Sequence, residues 1–321
     1  MKTDSSRFDF VRATKDNFPD MAKKAGGRTG FISSISERYP GLIEKAKGTI
    51  EASEREYGGK QVGDGEGFLW EHTVLVASLA HELALAEGLD PVLPDVAALF
   101  HDAGKFSGGE YHKGDRPEEE GAAALAASAL AEKGARASDI AKVRNALRAL
   151  YDAKTRRNAL ADLVHDADFL SKFGYLGVAG FFLKSALRGK NLVSAIMSSL
   201  SKELTYAEAL PRNMRTEAGR KAALTRSKDS LRFFRALLRE LEETRGAGFR
   251  IRKAPVVLPG APARTVDVLL VVPEACESCG GKWTYELSVD KGVKCRTLEA
   301  RLRCSGCGDS YTISFCLPEL R

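Results

Sequence analysis

Four side chains in the middle of the chain have the types and spacing of a metal centre. His72, the adjacent pair His101 and Asp102, and Asp168 each lie in an apolar run rich in Ala, Leu and Val. Burying an imidazole or a carboxylate group without a partner costs free energy, so some partner must compensate the burial of these four side chains. Two imidazoles and two carboxylates form a nitrogen and oxygen ligand set that suits one divalent transition ion, with positions left for water and substrate.

Three predicted helices must bring these groups together. The nearly continuous apolar pattern over residues 70–87 predicts a helix with the first histidine near its start. A second helix is predicted over 94–103, with the His-Asp pair at its end, and a third over 159–173. Asp166 and Asp168 both lie in the third helix, where residues two apart diverge by about 200°. We therefore expect Asp166 to support the site or lie on the helix surface.

The rest of the chain predicts more helices and then a β-rich end. Beyond Gly246 the sequence becomes strand-like and is punctuated by prolines. We expect a mainly α protein in three parts: a helical extension over 1–60, an all-helical domain over 61–246 and a small β-type domain over 247–321. Further helices are predicted over 117–133, 138–153, 177–187, 192–204 and 217–245.

Four cysteines in the C-terminal part have the spacing of a zinc site. Cys276 and Cys279 form one Cys-x-x-Cys pair, and Cys304 and Cys307 form a second. Two such pairs supply four thiolates in a closed tetrahedron around zinc, and so small a domain needs the metal in order to fold. The module looks like a zinc ribbon that binds nucleic acid or protein. The two remaining cysteines, Cys295 and Cys316, are interpreted as small buried residues or free thiols.

Three segments, in order, resemble the HD-domain metal-dependent phosphohydrolases. Residues 71–77 look like the first-histidine helix, and 101–105 read His-Asp-Ala-Gly-Lys, close to the family's His-Asp-x-Gly-Lys signature. Residues 166–170 read Asp-Ala-Asp-Phe-Leu and are similar to its last ligand segment. The stretch 214–220, in the region before the basic helix, is also similar to one branch of the family. The resemblance implies an all-helical domain with His72, His101, Asp102 and Asp168 as ligands.

The resemblance also implies a reaction. One ion of the Mn, Fe, Co or Ni type would orient and acidify a water and polarise a phosphoryl oxygen. Between the His-Asp pair and the last ligand the only histidines are His112 and His165, which favours one ion over two. Lys105 is a candidate for phosphate contact, or simply a cation at a helix C-terminus. Glu110 and Asp115 are candidates for the leaving-group acid, or are solvated. Three arginines are candidates for binding phosphate or for a solvated surface: Arg148, Arg156 and Arg157.

Composition limits the class of protein. The chain has 321 residues, 44% of them hydrophobic, and a net charge of +6. The N-terminus leads into polar sequence, and no apolar run approaches the ~20 residues needed to cross a bilayer. We therefore predict a cytoplasmic protein without a membrane partner. Between Arg212 and Lys253 thirteen Lys and Arg face five Asp and Glu, which favours phosphate-bearing ligands or a solvated helix face.

The favoured hypothesis is hydrolysis of a phosphomonoester or phosphodiester, most plausibly in a nucleotide. A second enzymatic hypothesis is attack on the pyrophosphate linkage of a nucleoside polyphosphate. The rival from another class is a regulatory protein with a non-catalytic HD fold, which senses a nucleotide or binds nucleic acid or protein. The complete ligand set favours the enzyme.

Overall fold

A computed structural model of the chain describes residues 30–58, 67–106, 118–150, 158–246, 248–258, 264–291 and 296–317. The fold is mainly α, followed by a small antiparallel β part, which confirms the predicted fold class. The helices are α1 Gly30–Arg38, α2 Leu42–Gly58, α3 Phe68–Ala86, α4 Val92–Phe100, α5 Glu118–Glu132, α6 Ala137–Ala149, α7 Ala159–Leu170, α8 Gly174–Leu187, α9 Leu192–Ala195, α10 Ser201–Ala209 and α11 Glu217–Arg245. The strands are β1 Phe249–Leu258, β2 Arg264–Pro273, β3 Trp283–Lys291, β4 Arg296–Cys304 and β5 Ser310–Cys316.

Helices α3, α4 and α7 pack against one another and form the centre of the helical part. Glu54 on α2 fixes the start of α3, since its carboxylate accepts hydrogen bonds from the backbone N–H groups of Gly67 at 2.9 Å and Leu69 at 2.8 Å. A negative charge at the free N–H groups of a helix start is stabilising. Gly67 has φ 92°, a left-handed conformation that glycine adopts at no steric cost. The first histidine therefore lies in the second turn of an anchored helix.

The His-Asp pair lies just beyond a helix rather than in its last turn. Helix α4 ends earlier than the predicted 94–103, and residues 101–106 form tight turns. A Cβ at Gly104 would lie 2.3 Å from the backbone oxygen of Glu118 and 2.8 Å from the nitrogen of Ala122. Only glycine lets this turn pack directly on the start of α5.

A π-helical turn interrupts the helix predicted over 192–204. Residues Ile196–Leu200 form this turn between α9 and α10, and a 3₁₀ turn over Leu210–Asn213 leads from α10 toward α11. Within the described ranges, no helix combines the length and the apolarity required to cross a bilayer.

The apolar run Val268–Val272 in β2 is buried on both faces. Its even-numbered residues pack with the other strands, whereas Leu269 and Val271 pack with the helices. Strand β1 pairs with one edge of β2 in an antiparallel hairpin. On α10, Ser201 Oγ accepts a hydrogen bond from the Val271 N–H at 2.9 Å, and Thr205 Oγ1 accepts one from the Leu269 N–H at 3.0 Å. The hairpin is thus attached to the helical part through its free edge.

The remaining strands form a separate sheet of order β3-β4-β5, antiparallel throughout. The stretch predicted as one zinc ribbon is therefore larger than a ribbon, because β1 and β2 form their own hairpin outside the sheet that carries the cysteines. Core residues also cross the predicted boundary at 246, since Phe249 packs in the same cluster as Phe181 and Phe234. The domain limits stay a prediction.

Candidate metal centre

The four predicted ligands come from three places in the fold and approach one another. The Nε2 atom of His72 on α3 lies 3.4 Å from Nε2 of His101, 3.6 Å from Oδ2 of Asp102 and 3.4 Å from Oδ1 of Asp168 on α7. His101 Nε2 is 3.7 Å from Asp102 Oδ2. The donor atoms of the first three residues all lie within 4.8 Å of one another, and Asp168 joins them through His72.

These spacings suit donors arranged around a single ion. Nitrogen and oxygen ligands about 2.1 Å from one ion lie about 3.0–4.2 Å from their neighbours. The separations of 3.4–3.7 Å fall in this range. The side chains of Asp102 and His72 keep 11% and 18% of their surface exposed, whereas that of His101 is fully buried. The residues present therefore fit a divalent ion with an open side for water and a ligand.

Hydrogen bonds orient the first donors toward the centre. The Nδ1 atom of His101 lies 2.7 Å from the carbonyl oxygen of Ala98. An imidazole that donates its Nδ1–H to a carbonyl leaves the Nε2 lone pair for a metal. Lys105 Nζ lies 2.5 Å from Asp102 Oδ2, and Lys172 Nζ lies 2.9 Å from Asp168 Oδ2. Lys172 thus contacts the carboxylate oxygen of Asp168 that His72 does not face. Lys105, in contrast, contacts the same oxygen of Asp102 that faces the two imidazoles.

The electrostatics favour the protonation states that a metal requires. Burial lowers the pKa of His72, which keeps its imidazole neutral. Burial acts to raise the pKa of Asp102, but the cation of Lys105 and the two imidazoles hold that pKa well below its usual range. Burial also acts to raise the pKa of Asp168, but the cation of Lys172 and His72 lower it, and the pKa of Asp168 is well below its usual range. Neutral imidazoles and ionised carboxylates are the metal-binding forms.

Asp166 does not point at the centre, as its position on the helix predicts. It is fully buried, and its carboxylate accepts hydrogen bonds from the N–H of Arg215 at 2.9 Å, from the N–H of Thr216 at 2.7 Å and from Thr216 Oγ1 at 2.9 Å. Thr216 is the N-cap of α11. A Cβ at Gly219 would come 2.4 Å from Asp166 Oδ2, which explains the glycine in the first turn of that helix.

We expect Asp166→Ala to lower the free energy of unfolding by about 2–5 kcal/mol, because several buried donors lose their partner. Metal content per folded chain should stay at the wild-type value, since the carboxylate faces α11. Thermal unfolding and metal analysis of the same samples measure both quantities. Asp166→Asn keeps one acceptor oxygen and should lose less stability; a metal content that falls with either variant would place Asp166 among the ligands.

The other predicted site residues fall into two groups. Lys105 lies beside the centre, 22% exposed, where it contacts Asp102. Arg148 is 43% exposed on α6 and binds Glu120 on α5 through two nitrogens, at 2.8 and 2.9 Å. Four predicted residues, along with Cys295, lie outside the described residues: Glu110, Asp115, Arg156 and Arg157.

The four cysteines of the two Cys-x-x-Cys pairs form a second candidate metal site. Their sulfurs all lie within 4.8 Å of one another, with Cys276 and Cys307 at 3.6 Å and Cys279 and Cys304 at 3.4 Å. In a zinc tetrathiolate with Zn–S distances of about 2.3 Å the sulfurs are roughly 3.8 Å apart. Hydrogen bonds from the backbone N–H groups of Cys307 and Gly306 lower the pKa of Cys304 to about 6. The site has the donors and the geometry for one zinc ion.

Glycines bring the two cysteine loops close together. A Cβ at Gly281 would lie 2.8 Å from the sulfur of Cys304, and one at Gly306 would lie 2.8 Å from the sulfur of Cys279. The interpretation of Cys316 as a buried residue or a free thiol was wrong, because it is exposed and disulfide-bonded. Its position as the last residue of a strand gave no sign of a partner.

A comparison with protein-family models matches residues 69–172 to the HD domain. This segment of the chain is similar to HD domains. The match covers all four predicted ligands and ends at Lys172, so the signature residues lie in the segment that the HD domain defines. A comparison with curated proteins gives no match.

Solved structures similar to the chain include two HD superfamily hydrolases and one protein in complex with ADP. A predicted HD superfamily hydrolase from an uncultured Thermotogales bacterium is 21% identical, with a TM-score of 0.46 over 65% of this chain and 98% of that one. Bacillus subtilis YpgQ in complex with ADP is 21% identical, with a TM-score of 0.44 over 62% and 96%. An HD-superfamily hydrolase from Bacillus thuringiensis is 20% identical, with a TM-score of 0.45 over 63% and 98%.

Sequence reasoning identified Lys105 but missed the other cations near the centre. Lys172 lies four residues after Asp168, just beyond the end of α7, and this spacing was a usable signal. Lys184 on α8 and Lys202 on α10 act on the same region, since both interact electrostatically with Lys172. Their positions depend on how distant helices pack, so no local pattern predicts them.

Proposed function

We propose that this protein is a metal-dependent phosphohydrolase that cleaves a phosphomonoester or phosphodiester of a nucleotide. The observation that carries the proposal is the approach of two imidazoles and two carboxylates within reach of one ion, at a partly open site beside lysine ammonium groups. A phosphate ester resists attack by water until its negative charge is screened. This site offers both an ion-binding donor set and positive charge.

The chain's own residues have distinct tasks in this proposal. His72, His101, Asp102 and Asp168 would hold the divalent ion, of the Mn, Fe, Co or Ni type. When bound, such an ion supplies Lewis-acid chemistry that acidifies water and screens phosphoryl charge. Lys105 places positive charge where a phosphoryl oxygen would lie, next to Asp102.

Proton donation to the leaving group remains assigned to Glu110 or Asp115. Arg148 is held by Glu120 in the described structure, so phosphate binding by this residue requires that pair to separate. Arg156 and Arg157 stay candidates for binding the phosphate.

The test is a substrate panel with the full-length protein. Protein loaded in turn with Mn²⁺, Co²⁺, Ni²⁺ or Fe²⁺ is assayed on p-nitrophenyl phosphate, bis-p-nitrophenyl phosphate and nucleoside mono-, di- and triphosphates. The proposal expects phosphate release that requires added metal and stops with a chelator. Cleavage only between the phosphates of di- and triphosphates would favour the pyrophosphohydrolase alternative. Metal-loaded protein that is inert on the whole panel would favour the regulatory alternative.

A second candidate function is binding of a nucleic acid backbone by α11. Five exposed cations follow one another at intervals of seven, four, three and four residues: Lys221, Lys228, Arg232, Arg235 and Arg239. At 3.6 residues per turn this spacing places them on one stripe about 27 Å long. The opposite face, with Phe234 and Leu238, is buried in the protein. The exposed stripe is therefore charged and offers few apolar groups to insert into a membrane.

Salt dependence tests this surface. If each of the five cations neutralises a phosphate of duplex DNA, the slope of log K against log salt should be about −4.5. Changing Arg232, Arg235 and Arg239 together to Gln should reduce the magnitude of that slope by about 2.7. Fluorescence anisotropy with a labelled duplex measures the slope. The control changes Lys142 and Arg144, which are exposed on α6, to Gln and should keep the wild-type slope. Equal slopes for wild type and the triple variant would exclude the stripe.

We also propose that the four-cysteine cluster holds one structural zinc ion. The cluster shows no open position, because four sulfurs complete a tetrahedron. The sheet β3-β4-β5 is then a zinc ribbon, and its partner is proposed to be nucleic acid or protein.

A further inference from the structure

Two lysines outside the HD match, Lys184 and Lys202, lie near the metal centre, and among the described residues neither has an ion-pair partner. Lys184 on α8 lies with Nζ 5.6 Å from the ring centroid of Phe68, which is one turn before His72 on α3. Lys202 on α10 lies with Nζ 5.3 Å from the ring centroid of Tyr206. Neither ammonium has a carboxylate within 4.0 Å among the described residues, so neither position is explained by a salt bridge.

Ring contacts connect Lys202 to the ligand helix. The rings of Tyr206 and Phe169 lie 6.3 Å apart, and Lys172 Nζ lies 4.1 Å from the ring centroid of Phe169. Phe169 directly follows the ligand Asp168, which itself interacts electrostatically with Lys202. Lys184 in turn interacts with Lys105, Lys172 and Lys202. Four ammonium groups from four parts of the fold thus share one neighbourhood.

Such a cluster is costly unless a ligand compensates it. Burial, followed by the other lysines, lowers the pKa of Lys184 to about 8, with Glu203 opposing the shift. Burial also lowers the pKa of Lys202. Both side chains nevertheless reach solvent. Lys184 is exposed and Lys202 is half-buried, so a mobile anion can reach both ammonium groups.

We propose that Lys184 and Lys202 form an anion subsite beside the metal centre and that it binds the second phosphate of a substrate carrying at least two phosphate groups. This inference rests on the proposed function, because it takes the metal centre as the place of the first phosphate. The charges near the centre support this. The four lysines carry four positive charges and a divalent ion would add two, whereas Asp102, Asp168 and Glu203 carry three negative charges. One phosphate brings about two negative charges, which leaves the lysines undercompensated. A further phosphate supplies the missing charge.

Matched phosphonates test the subsite without turnover. Methylenediphosphonate carries two phosphonate groups on a P–C–P bridge that water does not cleave, and methylphosphonate carries one. Calorimetric titration uses full-length protein with the same saturating Mn²⁺ in cell and syringe. Wild-type protein should bind methylenediphosphonate at least about tenfold more tightly than methylphosphonate. Lys184→Gln and Lys202→Gln should each weaken binding of methylenediphosphonate about tenfold. Affinity for methylphosphonate should change less than about twofold.

Controls separate the subsite from folding and from catalysis. Lys202→Arg keeps the charge and should keep most of the affinity, whereas Lys142→Gln, on the exposed face of α6, should change nothing. Equal losses for both phosphonates, or no loss for either, would overturn the subsite. Because the titration measures binding alone, inert protein in the substrate panel would refute the phosphohydrolase while leaving the lysine effect measurable.

Discussion

His101→Ala is expected to lower metal-dependent hydrolysis roughly a thousandfold or more, because the ion supplies several kcal/mol of charge stabilisation. The side chain of His101 is fully buried, with its Nδ1 beside a backbone carbonyl and its Nε2 facing His72 and Asp102. Alanine removes a donor that no neighbour replaces. Initial rates with Mn²⁺-loaded protein, together with metal content per chain, measure the loss, and the cysteine site should retain its zinc.

His165→Gln is the matched control. His165 lies on α7 one turn before Asp168, but its Nδ1 faces Asp166 Oδ1 at 3.1 Å and its ring packs on Phe169. It should keep the wild-type rate and metal content within a few-fold. Wild-type hydrolysis in His101→Ala, or loss of one ion in His165→Gln, would contradict the assignment of ligands.

Cys304→Ser is expected to abolish zinc binding at the cysteine cluster and to unfold the adjacent ends of β3 and β4. Apparent binding free energies of structural zinc sites are about 10–16 kcal/mol, far more than a small sheet can lose. Trp283 pairs with Cys304 across these strands and packs edge-on against Tyr311 at 5.2 Å. Its fluorescence therefore reports on the sheet once Trp70, the second tryptophan of the chain, is replaced by Phe.

The control for this prediction changes Ser278, which lies between Cys276 and Cys279. Ser278→Ala removes a hydroxyl that donates to Asp309 at 2.8 Å but leaves all four sulfurs. It should keep one zinc per chain and the native emission of Trp283. A Cys304→Ser protein with full zinc content and native emission would show that the cluster is not a zinc site.

Much of the HD centre is predictable because local sequence determines it. His72 and Asp168 each lie in a helical apolar run, and the His-Asp pair directly follows a third such run. The angle between residues two apart separates Asp166 from Asp168. The glycine at 104 follows from close packing between the turn and α5, although the sequence alone does not say which backbone it meets. Local pattern thus predicts the four ligands, whereas the identity of their neighbours depends on tertiary packing.

The features that sequence reasoning missed all depend on distant packing. Lys184 and Lys202 occur at exposed or half-exposed helix positions, where a lysine is ordinarily solvated. The hairpin β1–β2 packs on the helical part through hydrogen bonds to two hydroxyls of α10. No local sequence pattern in the hairpin or in α10 predicts this contact. Pro255 lies within β1, and a proline inside a run weakens the prediction of a strand.

The most direct measurement of the central claim is a crystal structure of Mn²⁺-loaded protein with diffraction data on both sides of the manganese absorption edge. We predict one anomalous peak about 2.0–2.3 Å from Nε2 of His72, Nε2 of His101 and a carboxylate oxygen each of Asp102 and Asp168. A peak elsewhere, or none at this centre in fully loaded crystals, would contradict it.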